Sequence, residues 1–158
     1  MTGGSGPNRP VLVAYDGSEF AKAAIAEVAA QVGTGRPVLV TTVSEPLEGI
    51  PFISAAGVPI DPDSMQRVLS AAREGAARTA AEGCRIAADA GLEAEPRVVI
   101  GGPIWERIAA AAEEADASLV VIGSRGLSGL KHALLGSVAA AVVQHSRRSV
   151  LVVHGHTE

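Results

Sequence analysis

The sequence predicts an α/β domain, a single five-stranded, mainly parallel sheet with helices on both faces. Short Val/Leu/Ile-rich runs alternate with longer stretches in which apolar residues recur at spacings of three and four. The short runs are apolar nearly throughout rather than at every second residue, as parallel strands covered on both sides require. Hydrophobic residues make up 47% of the 158 residues but aromatics only 3%. Ala and branched aliphatics must therefore fill the core, which suits helices laid closely on a sheet. A chain of this length holds one well-buried core.

Taken in order, a Gly/Pro-rich leader over 1–9 precedes a domain over 10–154 and a short tail over 155–158. "VLVAY" (Val11 to Tyr15) is the first strand, followed by "DGS". Ser18 is suited to cap a helix whose stripe is Ala21, Ala24, Ile25, Val28, Ala29 and Val32, with Gly33 as its stop. "PVLVTTVS" (Pro37 to Ser44) is the second strand. Pro46, Pro51, Pro59 and Pro62 then mark a long irregular connection, long enough to serve as a lid or partner surface. A long helix runs from about Asp63 to Gly91, with Gly75 and Gly83 as weak points. "EPRVVI" is the third strand. Gly101-Gly102-Pro103 turns the chain into a helix from Ile104 to about Ala115, with Pro103 suited to the first helical position. "SLVVIG" is the fourth strand. A glycine-bearing loop leads to a helix from Ser137 to about His145, and "SVLVVH" closes the sheet as the fifth strand.

Charge and composition narrow the function classes. A formal net charge of -4 gives no general attraction to nucleic acid or anionic membranes. No apolar run approaches the roughly 20 residues of a membrane span, and the start "MTGGSGPNRP" lacks the apolar region of a secretory signal. The expected location is the cytoplasm. Cys84 is the only cysteine and reads as a small buried hydrophobe. Trp105 reads as a packing or interface anchor, His132 and His145 as surface residues, and His154 and His156 as a solvated tail. Arg147 and Arg148 suit the negative end of the last helix.

In open parallel sheets ligands bind at the carboxyl ends of the strands near the reversal of strand order, so the loops after strands one, two and four matter most. The loop after strand four, "GSRGLSGLKHALLGS", opens a helix whose first N–H groups have no intrahelical partner and sit at the positive end of its dipole. Glycines there let main chain approach an anion closely. Arg125 and Lys131 are available as cations. The ordinary alternative is a turn with Ser137 as N-cap.

The spacing Gly123-x2-Gly126-x9-Gly136-Ser137, directly after a strand and directly before a helix, resembles the ATP-binding signature of the universal stress protein family. The resemblance extends to the opening strand with "DGS", the strand order in sequence and the closing "SVLVV". It implies an adenine nucleotide alpha hydrolase-like fold with spatial strand order 3-2-1-4-5. By the same resemblance Ala14, Asp16, Val43, Ile122, Gly123, Arg125, Gly126, Gly136, Ser137 and Val138 are the nucleotide-binding residues. Asp16 would contact the ribose or a Mg2+ ion on the phosphates of ATP, although a helix-capping role suits it equally. Val43 would meet the adenine edge through main chain. The stretch "GGPIWER" departs from the family's turn and puts bulky Ile104 and Trp105 close to a loop placed to border the site.

The implied function is an ATP-binding regulatory module for stress responses, with at most slow hydrolysis, since no base-and-nucleophile set can be assembled. An ATP-hydrolysing or nucleotide-transferring enzyme of the same fold and a nucleotide-free dimeric scaffold are the alternatives. The fifth strand, Ser149 to Val153, carries no proline or lysine to blunt an edge, and both this and the family resemblance point to a homodimer through it.

Overall fold

A computed structural model describes residues 8–45, 61–127 and 135–155. The proposed lid over the 45–63 connection therefore lies almost wholly outside the described residues, as do Lys131, His132 and His156.

The elements alternate strictly: β1 (Val11–Ala14), α1 (Glu19–Gln31), β2 (Val38–Ser44), α2 (Pro62–Asp89), β3 (Ala94–Ile100), α3 (Ile104–Glu114), β4 (Leu119–Gly123), α4 (Ser137–His145) and β5 (Ser149–Val153). All strands are parallel, in the order β3-β2-β1-β4-β5. The fold class and strand order are those the sequence implied. β1 is fully buried and lies at the centre.

Strand alternation separates two cores. Val11, Val13 and Tyr15 face the layer formed by α1 and α2, where Ala24, Ile25, Val28 and Ala87 are completely buried. Leu12 and Ala14 face the opposite layer, where Ile108, Ala112 and Val142 of α3 and α4 close the core. Thin Ala-rich helix faces let the helices lie close to the sheet. The clearest case is Gly83, buried in the interior of α2, where a Cβ atom would stand 2.7 Å from Val40 Cγ1 and 2.9 Å from Tyr15 Cδ1. What reads in sequence as a weak point of the helix is the place where α2 crosses the strands. Cys84, next to it, is half-buried against this core, and burial followed by the charge of Glu95 pushes its thiol pKa up.

Helix boundaries follow local chemistry, with a few differences from expectation. Ser18 caps α1, its Oγ accepting from Ala21 N at 3.2 Å. Gly33 and Gly91 follow the ends of α1 and α2 with φ of +82° and +81°, a conformation that favours glycine. α2 begins earlier than the apolar pattern suggests, because Asp61 Oδ1 accepts from Ser64 N at 2.9 Å and Pro62 serves as the first helical residue. Pro103, expected inside α3, is instead its N-cap in an extended conformation. Gly136, not Ser137, is the N-cap of α4.

Arg148 corrects another expectation. It does not cap α4 but forms a two-toothed pair with Glu113, at 2.9 Å to each carboxylate oxygen, and meets Asp116 Oδ1 at 2.8 Å. Asp116 also pairs with Arg9 at 2.8 Å. The cluster ties the lead-in to β1, the end of α3 and the lead-in to β5 together at the amino ends of the strands, because three separate segments converge there. Hydrogen bonds from Arg148 are the main reason that the Glu113 and Asp116 carboxyls lie below their ordinary pKa values. Trp105 rests on the His145 ring, centroids 4.7 Å apart, joining α3 to α4.

Candidate functional site

At the carboxyl ends of β1, β2 and β4 the structure opens into a cleft of about 590 Å³. The strand order reverses between β1 and β4, so this is the crevice that a doubly wound sheet leaves uncovered. Its size falls within the range of roughly 300–1,000 Å³ typical of small-molecule sites.

All ten residues singled out in the sequence line this one cleft. Ala14 and Asp16 come from the end of β1, Val43 from β2, and Ile122, Gly123, Arg125 and Gly126 from β4 and its loop. Gly136, Ser137 and Val138 come from the start of α4. Val43 is half-buried and also packs against the second core.

The β1 and β4 loops are locked together around Asp16. Its Oδ1 accepts from Ser18 N at 2.9 Å, and its Oδ2 accepts from Leu127 N at 3.3 Å. A Cβ atom on Gly126 would lie 2.8 Å from that second oxygen. Gly126 thus leaves room for the Asp16 carboxylate; Ser18, not Asp16, caps α1, and Asp16 instead closes a turn onto Ser18 N while lining the cleft. Gly123 is equally constrained, because a Cβ there would stand 2.8 Å from the main-chain carbonyl carbon of Phe20 in α1. Gly136 N donates to Ser124 O at 2.6 Å, which fixes the approach to α4.

α4, like α3 and unlike α1 and α2, has no side chain that caps its first turn. Ser137, Val138 and Ala139, its first three residues, all border the cleft. Their N–H groups fall in the turn that lacks intrahelical acceptors.

Sequence reading missed a whole wall. Ala72, Gly75, Ala76 and Thr79 of α2 line the cleft, and their i, i+3, i+4, i+7 spacing was a legible signal of one face. Thr41, Thr42 and Ser44 border it from β2, and Ile104 and Ile108 from α3. Ile104 does approach the site, as "GGPIWER" suggested; Trp105 is not among the lining residues. The Thr42 hydroxyl donates to Tyr15 O at 2.9 Å and that of Thr79 to Gly75 O at 3.2 Å.

Among the described lining residues Tyr15, Asp16 and Arg125 are ionisable. The Tyr15 hydroxyl is spent on Glu82 Oε1 at 2.9 Å, and burial, reinforced by that bond, raises its pKa well above the ordinary value. The Arg125 guanidinium lies over the Phe20 ring, 5.6 Å from its centroid, with Nε buried and unpartnered among the described residues. No cluster of three metal-binding side chains occurs among the described residues.

Fold and cleft together define a class: a doubly wound α/β domain with a crevice at its switch point, rimmed by a glycine-bearing loop and a helix N-terminus. Comparison with known proteins narrows the class. The model of the Universal stress protein family matches residues 7–154. Universal stress protein YxiE of Bacillus subtilis is 35% identical over 153 residues, covering 90% of this chain and 97% of that protein. A universal stress protein of Thermus aquaticus is 33% identical, with 92% and 98% covered. The solved structure of MJ0577, a universal stress protein of Methanocaldococcus jannaschii, superposes with a TM-score of 0.78 at 25% identity, covering 97% of this chain and all of that one. A universal stress protein solved in complex with cAMP superposes at 0.58 with 27% identity over 94% of this chain and 98% of that one. The chain belongs to the universal stress protein family. No helix among the described residues is long and apolar enough to cross a membrane.

Proposed function

We propose that the cleft takes an adenine nucleotide, ATP with Mg2+ on its phosphates, and that occupancy is the signal of a regulatory stress-response module. The observation that carries this reading is the uncapped first turn of α4. Ser137, Val138 and Ala139 open on the cleft, opposite the close-set Gly123–Gly126 loop. Main-chain N–H groups at a helix start attract an anion, and no side chain has taken their place. Arg125 supplies a cation with a buried donor still unpaired.

The apolar side of the same cleft, Val43, Ile104, Ile108 and Ile122, suits a flat heteroaromatic base. The cAMP complex of a similar protein supports an adenine ligand. Asp16 keeps an exposed carboxylate at the rim and is the residue to meet a ribose hydroxyl or to hold Mg2+ beside the phosphates. The metal would neutralise phosphate charge, and the protein's part is to seat the phosphates on the α4 amides and Arg125. Such a site binds rather than turns over, so hydrolysis is expected to be slow at most. A homodimer through the Ser149–Val153 edge belongs to the same reading, since β5 is an outer strand of the sheet. Cytoplasmic action fits a soluble regulator of this kind.

Calorimetric titration with Mg-ATP, ADP, AMP and cAMP tests the proposal. The expected result is saturable binding of at least one of them, lost in Gly136→Val with the circular dichroism spectrum unchanged. Absence of heat with all four, or an unaltered affinity in that variant, refutes it. Turnover far above the uncatalysed background would replace the binding module with an enzyme.

A further inference from the structure

We infer that Phe20 is a positioning residue for the anion-binding end of the cleft, holding the Arg125 guanidinium ready for a phosphate oxygen. This rests on the nucleotide reading above and adds a residue to it that does not itself line the cleft.

Arg125 is the only arginine or lysine among the described lining residues, and no carboxylate pairs with it among the described residues. Its Cζ lies 5.6 Å from the centre of the Phe20 ring, and its Nε is buried without a partner. A buried guanidinium N–H left unpaired carries a desolvation cost that an incoming acceptor would relieve. Had a carboxylate held this side chain, the pair would be neutral and a phosphate would have to displace it. An aromatic face orients the cation through its quadrupole and leaves both its charge and its planar fork of donors available.

Phe20 is itself held from two sides. A Cβ on Gly123 would lie 2.8 Å from both the Phe20 carbonyl carbon and the Phe20 Cβ, and a Cβ on Gly155 would lie 2.9 Å from the ring at Cδ1. The residue is therefore wedged between the ends of β4 and β5, and glycine at both positions leaves it that room. A ring fixed in this way restricts where the guanidinium can rest, which lowers the ordering cost when an anion arrives.

The test is a double-mutant cycle on the full chain, read by calorimetry with Mg-ATP, and with adenosine by competition. Phe20→Leu keeps an apolar side chain and removes the ring; Phe20→Tyr restores the ring; Arg125→Met keeps the stem and removes the charge. Phe20→Leu is expected to weaken ATP binding about threefold to thirtyfold. Arg125→Met is expected to weaken it about tenfold to a hundredfold. Phe20→Tyr should match the wild type, and Phe20→Leu should have no further effect once Arg125→Met is present. Adenosine, which has no phosphate, should bind all variants alike.

The inference is overturned if Phe20→Leu leaves ATP affinity unchanged, if its effect persists in full in the Arg125→Met background, or if adenosine weakens in parallel with ATP. The last pattern would mark Phe20 as plain packing. A wild-type protein that binds neither ligand overturns the nucleotide reading and this inference together, whereas wild-type binding with an inert Phe20→Leu overturns only the inference.

Discussion

Replacing Gly123 by alanine places a methyl group against the main chain of α1. The new Cβ would stand 2.8 Å from the carbonyl carbon of Phe20, 2.8 Å from its Cβ and 2.9 Å from its carbonyl oxygen. These atoms cannot rotate aside as the tip of a long side chain would, so either β4 or the first turn of α1 must shift. Overpacking of this kind costs about 1–3 kcal/mol. Restriction of the unfolded chain by the added Cβ returns about 0.4–1 kcal/mol. The net is about 1–2 kcal/mol, and for a chain of this size each kcal/mol moves the midpoint by about 3 °C. Gly123→Ala should thus melt about 3–6 °C below the wild type with no ligand present. Gly136→Ala is the matched control. Gly136 has φ of -66°, and the nearest atom to a new Cβ is Ser124 O at 3.3 Å. Its ligand-free stability should change by less than about 1 kcal/mol, the scale of an N-cap exchange, while its nucleotide affinity falls. Differential scanning calorimetry of the apo proteins decides the matter. A Gly123→Ala midpoint equal to that of the wild type would refute the claim that the first glycine of the signature serves internal packing.

The two glycines of α2 should respond in opposite directions. Gly83→Ala meets the buried Val40 and Tyr15 side chains at 2.7 and 2.9 Å, whereas Gly75→Ala meets only the end of Arg78 at 3.9 Å. Helix propensity favours both changes by about 1 kcal/mol, so urea denaturation should show Gly75→Ala more stable than the wild type and Gly83→Ala less stable; the same sign for both refutes this. Arg148→Met should lower stability at pH 7. Glu113 and Asp116 lie below their ordinary values of 4.5 and 3.8 in the folded chain, so the stability they contribute is present above those values and is lost as pH falls through the lowered ones. The gap between Arg148→Met and the wild type should therefore narrow only as pH falls below those ordinary values and through the lowered ones, and a gap that persists once both carboxyls are protonated contradicts it. Tyr15, the sole tyrosine, has its pKa raised from 10.0 by burial and by its bond to Glu82. Its contribution is complete below pH 10.0 and declines as pH rises further. Tyrosinate absorbance should thus appear only together with unfolding, and ionisation near pH 10 with an unchanged circular dichroism spectrum would refute it.

Much of the cleft was legible because the relevant residues are short-range signals. Gly123, Gly126 and Gly136-Ser137 stand at fixed intervals between a strand and a helix, and Asp16 stands at the end of the first strand. The strand order 3-2-1-4-5 brings the ends of the first and fourth strands together. The wall supplied by α2 was less legible. Ala72, Gly75, Ala76 and Thr79 read as an unremarkable small-residue face in a long Ala-rich helix, and only the way that helix packs across β2 and β3 turns the face toward the cleft.

By itself the sequence determined the order of the elements, the parallel sheet and the position of the glycine loop, since periodicity and helix-end chemistry act within a few residues. Tertiary structure alone decided why individual residues stand where they do. Gly126 makes room for a carboxylate 110 positions earlier in the chain, at Asp16. Gly83 makes room for Val40 and Tyr15, and Arg148 reaches Glu113 and Asp116 rather than its own helix end. Each of these is a contact between atoms far apart along the chain, and a distance between packed surfaces is set only once the layers have closed.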